Sequence, residues 1–261
     1  MSKSSSHTFL KFLTLLTFLL MIALNVLANI LPINGITTGA VSDAYPNLFA
    51  PAGVTFSIWG LIYLLLAVYV GYQFVPKSAK REQQLRQLNL WFSWSSLANA
   101  AWILAWHHQL IWLSVPLMLV ILYALIKISS LSDAAGLSAR DRLFIKIPFG
   151  VYFGWITVAT IANITTWLVS LGWSDWWLSD QIWTVLVLVV GAAIAGLTTL
   201  RTRNLAYGLV PIWAYFGIYL KHTTAAGFDY AYPPIVVTAI ACIALLMGVN
   251  GWVLRGKWNG R

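Results

Sequence analysis

Charge is what this chain has least of. Asp, Glu, Lys and Arg together make up 9% of its 261 residues, against roughly 25% in soluble domains. With 60% hydrophobic residues and a mean hydropathy of +0.78, the chain reads as an integral membrane protein whose first partner is the lipid bilayer. Cysteine is nearly absent too, and the single Cys242 excludes an intrachain disulfide and a cysteine-cluster metal site. The seven acidic residues, Asp43, Glu82, Asp133, Asp141, Asp175, Asp180 and Asp229, all fall in loops or at their edges. Pumps and ion-coupled transporters set a carboxylate, Lys or His deep within a span, so that class is argued against, while a passive one is not. There is no phosphate-binding glycine loop, no nucleophile elbow and no His pair at metal-ligating spacing within a helix. The expectation is a protein with no catalytic residues, no metal and no required cofactor, and so not an enzyme. The net charge of +9 does not point to nucleic acid, because the basic residues sit between apolar runs rather than in one patch.

Long apolar runs are what the chain does have. They cover residues 12–31, 54–74, 88–106, 110–128, 147–170, 182–200, 205–220 and 234–254. Lipid offers no partner to an unpaired backbone amide, so runs of about 20 residues must be helices unless they close a barrel. The ten-residue alternation of a barrel strand is missing. The reading is an all-α integral membrane protein, an eight-transmembrane-helix bundle. The first run exceeds the apolar core of a signal peptide and is expected to stay as a span. The seventh, interrupted by Gly208, Pro211 and Gly217, is the least regular. With eight spans, every one of the 16 Lys and Arg residues except Lys221 falls on one side. That asymmetry places both termini in the cytoplasm. The long connection after the first run then lies outside, rich in the turn-forming residues Asn34, Gly35, Thr37, Thr38, Gly39, Asp43 and Pro46.

Within the spans, tryptophan and asparagine recur at helical spacing. Trp59 and Tyr63 share a face of the second run, and Trp91, Ser95, Asn99, Trp102 and Trp106 form a stripe on the third. Tyr152, Trp155, Ala159 and Asn163 do the same on the fifth, and Asn25 and Asn29 on the first. A side-chain amide in hydrocarbon costs several kcal/mol unless hydrogen-bonded, so these faces should point into the bundle. Two readings stand side by side. Each amide is interhelical glue, at about 0.6–2 kcal/mol per bond, or the faces line an aromatic cavity. Trp112, Trp173, Trp176, Trp177, Trp183, Trp252 and Trp258 fall near span ends, as interfacial belt residues do. Trp59, Trp102, Trp106 and Trp155 share faces with polar or small residues and are the pocket candidates. His107 and His108 offer one haem ligand at most, or simply a turn at the water interface. Gly150/Gly154 and the Gly191/Ala195 and Ala192/Gly196 pairs suit close packing within the chain, with a homodimer as the alternative.

These stripes carry a resemblance. Pro51 followed by Trp59-x-x-x-Tyr63 is similar to the proline and W-x-x-L-Y element of the TspO/MBR family, the tryptophan-rich sensory proteins related to the mitochondrial translocator protein. Asn99-x-x-Trp102, with Trp106 beyond it, resembles that family's L-N-x-x-W element. Tyr152-x-x-Trp155-x-x-x-Ala159-x-x-x-Asn163 resembles its P-Y-x-x-W-x-x-x-A-x-x-L-N element, with Val151 in place of the proline. The resembling part is residues 1–172, a five-helix bundle, and residues 173–261 add three transmembrane helices. The resemblance implies a pocket for a flat apolar ligand, a tetrapyrrole (porphyrin or haem) or a sterol, lidded by the loop between helices one and two. Its implied ligand-binding residues are Pro51, Trp59, Tyr63, Asn99, Trp102, Trp106, Tyr152, Trp155, Ala159 and Asn163. The implied role is sensory, regulatory or transporting, and tetrapyrrole breakdown enters by family analogy alone. A different class, a passive permease using all eight helices, is motivated by the broken seventh run.

Overall fold

A computed structural model describes residues 3–31, 33–134, 138–173 and 178–258. Asp175, Trp176 and Trp177, the last two expected in the aromatic belt, lie outside the described residues. Among the described residues all regular structure is helical. The long helices are α1 (Lys3–Ile30), α2 (Ile58–Tyr72), α3 (Ala79–His107), α4 (Ile111–Ala134), α5 (Ile147–Ser170), α6 (Asp180–Thr202), α7 (Leu205–Thr223) and α8 (Pro233–Trp258). Short helical pieces fill the connections at Ile33–Gly35, Thr38–Asp43, Gly53–Ser57 and Ala139–Asp141.

Local chemistry fixes several helix starts. The Ser138 hydroxyl accepts from the Asp141 amide while the Asp141 carboxylate accepts from the Ser138 amide, a reciprocal cap just ahead of α5. Ser179 caps α6 by accepting from the Ile182 amide, with Asp180 in the first turn. Asn204 caps α7, its side-chain oxygen taking the amides of Ala206 and Tyr207. Only two residues, Arg203 and Asn204, separate α6 from α7, and Arg203 turns the chain there with a left-handed backbone at φ 47°.

Among the described residues, six stretches are long and apolar enough to cross a membrane: Thr8–Ile30, Gly53–Tyr72, Ile111–Asp133, Ala139–Ser170, Asp180–Thr202 and Pro233–Gly256. The eight expected spans therefore meet six by length and hydropathy. α3 falls short because Ser93, Ser95, Ser96 and Asn99 interrupt its apolar part, and α7 because it is only 19 residues long with Lys221 and His222 in its last turn, while Tyr207, Trp213, Tyr215 and Tyr219 dilute the rest. Both helices nevertheless bury polar atoms in hydrogen bonds rather than presenting them to the surroundings. On α3 the fully buried Ser95 hydroxyl donates to the Phe92 carbonyl at 2.9 Å, and Asn99, also fully buried, is bonded through both ends of its amide. The Tyr207 hydroxyl donates to Thr157 Oγ1 at 3.2 Å and the Tyr215 hydroxyl to the Leu188 carbonyl at 2.6 Å.

The chain forms two compact units. One comprises Met1–Thr38 and Gly60–Phe153. In it α3 packs between α1 and α4, around a core that includes Met21, Ile62, Leu66, Phe92, Ile103 and Met118. Phe92 meets Tyr69 and Phe149 edge-on at centroid distances of 5.6 and 5.2 Å, the geometry that aromatic quadrupoles favour. At the polar end of α3, Lys11 pairs with Glu82 and Arg81 with Asp141, each at 3.0 Å.

The other unit comprises Gly39–Trp59 and Gly154–Arg261. There α8 packs on both α6 and α7, and Asn250 donates to the Gly208 carbonyl at 3.1 Å. Gly154 of the expected small-residue pair is used inside this unit: a Cβ on it would stand 2.7 Å from the Tyr207 carbonyl oxygen. Gly191 likewise faces the Tyr215 hydroxyl, 2.6 Å from where its Cβ would be.

Candidate functional site

The ten residues singled out in the sequence divide between the two units. Tyr63, Asn99, Trp102, Trp106 and Tyr152 belong to the first, and Pro51, Trp59, Trp155, Ala159 and Asn163 to the second.

In the first unit the polar side chains satisfy one another. Asn25 Nδ2 donates to Asn99 Oδ1 at 2.8 Å, and Asn99 Nδ2 donates to the Tyr152 hydroxyl at 3.1 Å. All three residues are buried. Both ends of the Asn99 amide are thus engaged, which is how an amide in apolar surroundings avoids its desolvation cost. Trp102 and Trp106 stack with centroids 5.5 Å apart. Trp106 also holds the connection after α1, since its indole N–H donates to the Thr38 carbonyl at 3.1 Å. His107 beside it does the same with both ring nitrogens. Nδ1 donates to the Ile33 carbonyl at 3.2 Å, so Nε2 of the neutral ring accepts from the Thr38 hydroxyl at 3.0 Å. Neither nitrogen is left for a haem iron. His107 is a loop anchor, and its neighbour His108 is exposed. Tyr63 sits half-buried on α2.

In the second unit the rings converge on Trp155. Phe56 and Trp59 both meet it edge-on, at centroid distances of 5.9 and 6.1 Å and interplanar angles of 83° and 80°. Trp155 is only 3% exposed, and its indole N–H has no acceptor among the described residues. Leaving such a donor buried and unpaired costs about 1–3 kcal/mol. One turn along α5 from Trp155, Ala159 contributes only a methyl group, and Asn163 follows, buried, one turn further. Pro51 opens the short helical turn Gly53–Ser57 that carries Phe56.

What sequence reasoning missed is the ground on which residues 39–59 rest. This strap lies along α7. Lys221 pairs with Asp43 at 3.2 Å, and His222 Nε2 donates to the Leu48 carbonyl at 2.9 Å. The Ala52 amide donates to the Gly217 carbonyl at 2.9 Å, and the Trp213 indole N–H to the Thr55 carbonyl at 3.0 Å. His222 is fully buried, packed against Phe228 and Tyr232 at centroid distances of 4.7 and 5.8 Å. The sequence held two signals for this: Trp213, which fits no belt position, and Gly217, read only as a break in the seventh run.

Among the described residues no group of three or more His, Cys, Asp or Glu side chains could hold a metal ion. A family model described as TSPO-like protein matches residues 11–252. That range runs through α6, α7 and most of α8, beyond the residues that carry the resembling motifs. No curated protein and no solved structure matches the chain.

Proposed function

The chain belongs to the TSPO-like family, and on that premise we propose that it is a membrane protein that binds a flat, apolar ligand against Trp155 in a regulatory role. The observation that carries this is the buried indole N–H without an acceptor among the described residues, set among edge-on rings. A planar ligand bearing an oxygen at its rim, such as a porphyrin propionate or a sterol hydroxyl, supplies both the apolar face those rings favour and the acceptor the N–H lacks. Ala159 keeps the next turn of α5 low, and Pro51, Phe56 and Trp59 contribute from the strap. On this reading Asn99 and Tyr152 brace helices rather than touch the ligand. The eight helices all span, with both termini on the cytoplasmic side, a topology supported by the one-sided distribution of Lys and Arg and by the inward-bonded polar atoms of α3 and α7.

The work assigned to the residues is binding. Titrating protoporphyrin into protein reconstituted in nanodiscs should give saturable quenching of tryptophan fluorescence, weakened by Trp155→Ala. Non-saturable quenching in the wild type refutes the reading. Liposome uptake separates the role from that of a passive permease: a regulator binds without flux, and ligand accumulation inside the vesicles would favour the permease.

A further inference from the structure

We propose that α7 is a positioning element for the Trp155 cluster: it seats the strap so that Phe56 and Trp59 stand edge-on against Trp155. This gives the helices beyond the fifth a task in ligand binding. It rests on the reading of Trp155 as the ligand's contact.

The order of the tethers is the first argument. Along the strap the contacts fall at Asp43, Leu48, Ala52 and Thr55, and on α7 their partners are Lys221, His222, Gly217 and Trp213. The strap therefore runs antiparallel to α7. Residues 213, 217 and 221 are four apart, so three of the four partners lie on one helical face. A chance crossing gives one contact. Three in reverse order, Asp43 at Lys221, Ala52 at Gly217 and Thr55 at Trp213, with Leu48 at His222 beside the first of them, cover more than two turns of helix and describe a segment laid down its length.

The second argument is the fit at Gly217. A Cβ there would stand 2.7 Å from Thr55 Cγ2 and 2.9 Å from Thr55 Cβ, and would collide outright with Thr55 Oγ1. Thr55 itself is fully buried. The strap thus occupies the space a side chain would take, and only glycine admits it. Distance along the chain is the third argument. Thr55, held at Gly217 and bonded to Trp213, directly precedes Phe56, and both lie in the same tight turn Gly53–Ser57, four residues before Trp59. A displacement of Thr55 has almost no slack in which to dissipate before it reaches the rings on Trp155.

The test is a rescue experiment. Gly217→Ala pushes Thr55 away, and Thr55→Gly removes the three atoms nearest the new methyl, so the double variant restores the seat. Protein labelled with 5-fluorotryptophan reports on the cluster by ¹⁹F NMR, the Trp155 signal being the one lost in Trp155→Phe. We expect the Trp155 resonance to move or broaden in Gly217→Ala and to return in Gly217→Ala/Thr55→Gly. Protoporphyrin affinity should fall about tenfold and recover in parallel. Trp213→Phe, which keeps the ring and removes the tether, provides a gentler variant in the same direction. An unmoved Trp155 resonance in folded Gly217→Ala overturns the proposal, and so does a shift that Thr55→Gly fails to reverse. If the resonance follows the seat but the wild type binds no porphyrin, the ligand reading fails and the positioning stands. If porphyrin binds with equal affinity to all variants, the positioning fails and the ligand reading stands.

Discussion

Replacing the indole N–H of Trp155 while keeping its shape separates a binding role from a packing role. The perturbation is 3-benzothienylalanine at position 155, in which sulfur takes the place of the N–H. In the free protein that N–H is buried and has no acceptor among the described residues, so its loss removes a desolvation penalty of about 1–3 kcal/mol and breaks no bond. Unfolding midpoints should therefore stay level or rise. Ligand binding should move the other way. A hydrogen bond to a neutral acceptor contributes about 0.5–1.5 kcal/mol, and one to a charged acceptor about 1.5–3. At 1.4 kcal/mol per decade, affinity should fall roughly two- to tenfold for a neutral rim oxygen and roughly ten- to 150-fold for a carboxylate. Protoporphyrin and its dimethyl ester differ in that respect alone, so the ratio of their losses reads the charge of the group that meets Trp155. The assay is a pair of Soret titrations alongside thermal melts of wild-type and substituted protein. Unchanged affinity for both ligands refutes the role of the N–H in binding, and a lowered melting midpoint refutes the orphaned donor itself.

Three further outcomes follow from the packing. Asn99→Leu removes the partner of both Asn25 and Tyr152, leaving a buried hydroxyl with its donor gone. It should destabilise the protein by about 1–3 kcal/mol in denaturant melts, and a neutral effect would break the chain of bonds argued for α1, α3 and α5. Gly154→Ala sets a methyl 2.7 Å from the Tyr207 carbonyl oxygen and 2.9 Å from Val210 Cβ. Overpacking of that kind costs about 1–3 kcal/mol, visible as a lower melting midpoint, whereas Gly248→Ala on α8, where a new methyl meets nothing within 4 Å, serves as the comparison. His222, beyond the apolar run of α7, has its pKa lowered from the ordinary 6.5, first by burial and then by the Lys221 charge, against the opposing bond to Leu48. The unfolded chain therefore takes up the proton more readily than the folded one. Stability is complete above about pH 6.5 and falls as the pH drops below it, and His222→Gln should flatten that part of a stability-versus-pH curve.

How much of this was legible beforehand depends on the kind of signal. Runs of 20 apolar residues can only be helices in lipid, so the helix order could be read directly, from α1 through α8. The helical spacing of Asn25, Asn99 and Tyr152 marked faces that must be buried, and the structure buries them. The sequence could not distinguish an amide that braces from one that binds, since both lie on inward faces. The difference appears only when partners are counted among the described residues: Asn99 has two and the Trp155 N–H has none. The placement of residues 39–59 was harder still. Their nearest neighbours in sequence are α1 and α2, and the turn-rich composition says only that they form a structured connection. What decides their seat is α7, more than 150 residues later: a glycine with no side chain, a tryptophan with a spare N–H and a buried histidine. None of these is informative alone, because glycine in a helix reads as a break and tryptophan in a membrane protein reads as a belt. They become a site only as a spaced set, Trp213, Gly217 and Lys221, four apart and met in reverse order by Thr55, Ala52 and Asp43. A search for that pairing, polar tips at helical spacing facing a proline-marked loop, is how a docked strap becomes visible in sequence.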